Sequence, residues 1–75
     1  MNIIEAIQAA ESGKLITNNF LKIGSRFLKY TGGGAFQEYQ LVNDEPEYQY
    51  DVRLFSTGEV LSIGWEVLEK NYFEE

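Results

Sequence analysis

The chain has 75 residues, a net charge of −6, no cysteine and no histidine. This excludes a disulfide framework and a thiolate metal site, and without His or Cys no isolated Ser, Lys or Glu identifies a nucleophilic or acid–base mechanism. A core this small supplies only about 3–5 kcal/mol, so five Phe, five Tyr and one Trp point to a well-packed aromatic core or to burial against copies of itself; we read the chain as a homo-oligomer.

Asn2 is placed to cap a helix, with Glu5 three residues on. Ile3, Ile7 and Ala10 then fall at i, i+4 and i+7, flanked by Ile4 and Ala6, as one apolar helical stripe. Ser12-Gly13 ends the helix, Gly13 being suited to the left-handed residue beyond the last turn. Lys14 to Thr17 predicts a short strand, Asn18-Asn19 a turn or bulge, and Ile23 to Ser25 a second turn. Arg26 to Tyr30 alternates, with Arg26, Leu28 and Tyr30 on one side and Phe27 on the other. Thr31 to Gly34 reads as a loop or hairpin end. Ala35 to Val42 reads as a strand, with Tyr39 and Leu41 on one face and Phe36 on the other.

Asn43 to Glu47 is expected to be a loop, since Pro46 cannot donate to a ladder and the acids suit solvent. Tyr48, Tyr50, Val52 and Leu54 alternate with Gln49, Asp51, Arg53 and Phe55. This predicts a strand over 48–55, paired antiparallel with 35–42. Ser56 and Glu59 have the spacing of a capping box, so a helical turn is expected over 57–62, ended by Ile63-Gly64. Trp65, Val67 and Glu69 alternate with Glu66 and Leu68 as a closing strand. In the acidic segment 71–75, Tyr72 and Phe73 are expected to dock on the core or on a partner chain. The fold class is α+β in one domain over 1–75: an N-terminal helix packed on a small, mainly antiparallel sheet, with a short helical turn before the last strand.

The charge is uneven. Residues 1–30 balance to +2 and residues 31–75 to −8. Such an acidic chain repels DNA and RNA, and its acidic half suits either solubility or a basic protein groove. The first residues do not read as a secretion signal, no apolar run nears the roughly 20 residues of a membrane span, and a cytoplasmic protein is expected.

Three clusters bear on function. Asp44, Glu45, Glu47 and Asp51 lack the ligand order of a calcium loop and read as a solvated acidic loop, so no metal site is expected. Gly32-Gly33-Gly34 has the backbone freedom to cradle a phosphate, but carries no nucleotide-binding fingerprint and reads as a loose hairpin loop. Lys22, Arg26 and Lys29 stand among Phe20, Phe27 and Tyr30. They either offset nearby acids or hold a phosphorylated base, charge for the phosphate and a ring for stacking.

Two segments together resemble a known family. The opening Glu5-Ala6-Ile7, Ala10 and Gly13-Lys14-Leu15-Ile16-Thr17-Asn18-Asn19-Phe20 is similar to the "EA…A…GKxIxRxxW" opening of small phage proteins of the Thoeris anti-defence sponge type, the second such family described. Gly24-Ser25-Arg26-Phe27-Leu28 is similar to its next strand, and Glu59 to Leu68 to its closing "DLLAxDWxV". The chain departs from the pattern at Asn18 or Asn19, at Phe20 and at Gly64. The resemblance implies a compact α+β fold, self-association, and capture of a cyclic nucleotide immune signal without turnover or cofactor, in pockets at chain–chain contacts. Carried onto this chain, the binding residues are Phe20, Lys22, Arg26, Tyr30 and Trp65. Phe20 stacks on a base, Arg26 pairs with phosphate, and Trp65 lines the pocket or holds the core. The alternative is an acidic phage inhibitor that binds a host defence protein directly, as an anti-CRISPR protein can.

Overall fold

Asn2 and Glu5 start the first helix, α1 (Ile3–Glu11), by capping one another. The Asn2 side chain accepts from the Glu5 N–H, and the Glu5 carboxylate accepts from the Asn2 N–H. The computed structural model describes residues 1–52 and 55–73. After α1 come β1 (Ile16–Thr17), α2 (Asn19–Ile23), β2 (Arg26–Gly32), β3 (Ala35–Val42), β4 (Glu45–Val52), α3 (Thr57–Leu61) and β5 (Glu66–Val67). The five strands form one sheet in the order β4-β3-β2-β1-β5, antiparallel at every pairing. The expected α+β arrangement is therefore what the chain adopts, including the capping box of Ser56 and Glu59 before the last strand.

Ala6 and Ala10 of α1 bury against Ile16, Leu21, Leu28, Phe36 and Trp65. Small residues on the helix let it lie close to the sheet, and the large ones fill the space from the other side. Trp65 is 1 % exposed, its ring edge-on to Phe55 at 5.6 Å and its indole N–H donated to the Glu59 carbonyl at 2.8 Å.

Four local expectations are corrected. Asn18-Asn19 is not a turn or bulge but the start of the helix α2, while the second expected turn is present at Gly24-Ser25. Asn18 is the cap of α2: the side-chain carbonyl accepts from the N–H groups of both Phe20 and Leu21, and its amide donates to the Glu59 carboxylate at 3.1 Å. Asn18 is 0 % exposed, so this cap is a tertiary contact as much as a local one. Residues 43–47 are not a loop either. Only Asn43 and Asp44 turn, with φ of 54° and 63°, the left-handed pair of a two-residue hairpin. Pro46 lies inside β4 opposite Leu41, tolerated because β4 is an edge strand.

The alternation expected over 48–55 is also broken. Glu38 pairs with Tyr50 and Tyr39 with Tyr48, leaving Gln49 as the extra residue of a bulge. Tyr48 therefore joins Tyr39 on the outer face of the sheet, ring centroids 5.8 Å apart, while Val52 packs on the helix side. Arg53 and Leu54 lie outside the described residues, as do Glu74 and Glu75. Lastly, β2 runs on through Thr31 to Gly32, so the expected loop shrinks to a turn at Gly33-Gly34, and the closing strand is confined to Glu66 and Val67.

Asn18→Ala is expected to cost about 2.5–4 kcal/mol: a lost N-cap costs roughly 1 and a lost hydrogen bond to the half-buried Glu59 carboxylate about 1.5–3. Urea unfolding measures it. A midpoint equal to that of the wild type would mean that Asn18 does not hold α2.

Candidate functional site

Phe20 sits in the first turn of α2, 58 % exposed, directly beside α3. A Cβ on Gly58 would stand 3.4 Å from its ring, in van der Waals contact, so the ring lies against this first turn of α3. Lys22, one turn on, pairs with Glu66 at 2.9 Å with both side chains half in solvent, an ion pair worth little to stability. Arg26, first in β2, pairs through Nη1 with Glu38 at 2.8 Å. The Glu38 side chain is about 5 % exposed, the Arg26 side chain 36 %. A carboxylate so buried requires that cation.

Tyr50 stands over the same pair. Partial burial first, then a hydrogen bond to Glu38, raises its phenol above the ordinary tyrosine value. Tyr30 packs edge-on against Phe36 at 5.3 Å, and its hydroxyl accepts the Gly34 N–H. Trp65 fills the core.

The five expected binding residues therefore do not share one pocket. Lys22 and Arg26 line a cavity of about 160 Å³ with Thr17, Phe27, Leu41 and Leu68. Tyr30 lines another of about 170 Å³. Phe20 looks into solvent, and Trp65 is closed off beneath Glu59. Sequence reasoning passed over Asn18, Glu38, Tyr50 and Glu59. Glu38 carried a signal: it falls two residues from Phe36, on the core-facing side of β3, where an acid needs a cation across the strand pair.

A Cβ on Gly64 would clash with the Asn19 side-chain amide, so Asn19 fills the space that a larger residue at 64 would take.

Around this corner the surface is apolar. Phe20 touches α3, Asn19 touches Gly64, and the Met1 ammonium donates to the carbonyls of Ile63 and Trp65 at 3.2 and 2.9 Å. On these adjoining segments Met1, Phe20, Val60, Leu61 and Ile63 are exposed, with Leu61 at 75 % and Ile63 at 83 %. Glu59 adds no charge to this surface, because its carboxylate turns inward to Ser56 and Asn18.

No helix among the described residues is long and apolar enough to cross a membrane. No family model, curated protein or solved structure matches the chain.

Proposed function

We propose that this chain is a phage-encoded anti-defence protein that captures a cyclic nucleotide immune signal in the host cytoplasm and holds it, without turnover, as a homo-oligomer. One observation carries the reading. The two end segments that bear the resemblance come together in one corner through Asn18 to Glu59, 41 residues apart, and Asn19 beside Gly64. That corner presents an aromatic ring, fixed from below by a buried cap, on an apolar surface.

In this reading Phe20 stacks on a base. Arg26 gives one nitrogen to Glu38 and turns the rest of its five-donor fork to phosphate. Lys22 supplies a second positive charge at the price of its solvent-exposed pair. The cavities that stand out on one copy hold about 160–390 Å³, against about 300–1,000 Å³ for ordinary small-molecule sites. A second copy packed on the apolar corner supplies the missing walls, so self-association and capture are one property.

Calorimetry with cyclic di- and trinucleotides and cyclic ADP-ribose isomers tests this. At least one is expected to bind tightly, and Arg26→Ala to weaken it at least about tenfold, the loss of one charge-assisted hydrogen bond. Arg26→Lys keeps a cation opposite Glu38 and isolates the loss of the fork. No heat from any of these compounds on the wild-type chain would overturn the reading.

A second reading rests on β4. This edge strand carries Glu45, Glu47 and Asp51 in solvent, with Tyr48 and Tyr50 each half-exposed. Acids with tyrosines suit a basic groove on a host defence protein. A complex of that kind is pulled from lysate and loosened by salt, whereas nucleotide binding without such a complex decides for capture.

A further inference from the structure

The face of the sheet away from α1 is covered by a segment with no regular structure. Phe27, the second residue of β2, is 1 % exposed. Its ring lies nearly parallel to Tyr39, 5.7 Å away at 11°, and nearly parallel to Tyr72, 5.7 Å away at 19°. Phe73 tilts onto Tyr39 at 4.8 Å. Phe27 is thus stacked both with Tyr39 of the neighbouring strand and with the chain's own Tyr72.

The cover is lightly held. Its side-chain tie to the body is Asn71 Nδ2 donating to the Gly13 carbonyl at 3.0 Å. Two lysines lean on its rings, Lys29 Nζ 4.9 Å from the Phe73 centroid and Lys70 Nζ 4.7 Å from that of Tyr72. Cavities of about 180, 170 and 390 Å³ run along Asn71, Phe73 and Tyr72. A segment flanked by voids, without ladder hydrogen bonds, belongs to the low-stability end of a fold and opens before the sheet does.

We infer that residues 71–73 are a removable cover on a second nucleotide surface, where a base stacks on Phe27 in the place that Tyr72 fills. A stacked ring with an ammonium on either side is the arrangement that a phosphorylated base needs. Once Phe73 and Tyr72 lift, Lys29 and Lys70 exchange ring faces for phosphate oxygens. The inference rests on the capture reading for its ligand class, but uses none of the residues at the Phe20 corner.

The same cyclic nucleotide panel tests it. Tyr72→Ala removes the competing ring, and binding by at least one nucleotide is expected to tighten about tenfold over the wild type. Lys29→Gln in the Tyr72→Ala background is expected to reverse most of that gain. Hydrogen exchange on the wild-type chain gives a readout that needs no variant: bound nucleotide is expected to speed exchange at Tyr72 and Phe73 while slowing it in β2 and β3. Unchanged or weaker affinity in Tyr72→Ala, or unchanged exchange at 71–73 in a saturated sample, overturns the inference. If nucleotide then binds in a manner sensitive to Arg26 alone, the cover falls and capture stands. If neither the wild type nor Tyr72→Ala binds any nucleotide, both fall.

Discussion

Trp65→Ala is expected to leave the chain unfolded at 25 °C. Removing a buried Trp costs about 3–5 kcal/mol, and a chain of this length has roughly 4–11 kcal/mol in total at 0.05–0.15 per residue, with its core alone near the bottom of that range. The indole shares the inner core with Ala6 and Ala10 of α1 and with Ile16, Leu28 and Phe36 of the sheet, and it lies edge-on to Phe55. Its N–H also holds the last carbonyls of α3 by bonding Glu59. Trp65→Phe keeps a ring but drops that bond, and about 1–3 kcal/mol is expected, enough to lower the urea midpoint while leaving a cooperative transition. Near-ultraviolet circular dichroism and urea melts at several protein concentrations measure both variants, since self-association adds concentration-dependent stability. A cooperative Trp65→Ala transition close to that of the wild type would mean that the core is organised around something else.

The parts of the fold legible in the sequence are those whose cause is local. The boxes of Asn2 with Glu5 and Ser56 with Glu59 each lie within four residues, and both helix starts fall where their spacing puts them. What could not be read depends on contacts from afar. A five-residue helix such as α2 has almost no propensity of its own. It exists because Asn18 is clamped by Glu59, 41 residues on. The bulge at Gln49 is equally silent, because a perfect period of two in residues 48–52 says nothing about which residue the partner strand skips. Pro46 misled for a related reason: it forbids a central strand, and only the sheet order reveals that β4 is at the edge.

The candidate site divides in the same way. Residue types at Phe20, Lys22 and Arg26 carried the idea of base and phosphate. Their partners did not show, because Glu38 and Glu66 reach them across strand pairs and between elements, not along the chain. Tyr72 and Phe73 dock on Phe27 and Tyr39, on the outer face of the sheet, where the sequence pointed to the core or to a partner chain. The sheet thus has two aromatic faces, one closed by α1 and one by the chain's own last turn.

The second large effect is expected at the apolar corner. The double variant Leu61→Asp, Ile63→Asp should dissociate the proposed oligomer and abolish the proposed capture without unfolding the chain. Both side chains stand mostly in solvent in a single copy, and substitutions at such positions usually change stability by less than about 0.5 kcal/mol. In the proposed assembly the same positions are buried, and each added carboxylate then carries a desolvation cost of several kcal/mol, the nearby Met1 ammonium being already donated to the Ile63 and Trp65 carbonyls. Glu59 cannot help, since its carboxylate is already spent on Ser56 and Asn18. The net charge also moves from −6 to −8 per copy, which adds repulsion between like chains. Together these weaken association at least about a thousandfold, at 1.4 kcal/mol per factor of ten. Sedimentation velocity gives the mass and far-ultraviolet circular dichroism the fold. A wild-type chain that stays monomeric at high concentration would assign this surface to a different partner. A double variant that remains assembled would place the interface elsewhere, and a monomer that still captures nucleotide would separate binding from assembly. Loss of assembly and capture together, with the fold intact, is the outcome that ties an apolar corner on a strongly acidic chain to the proposed function.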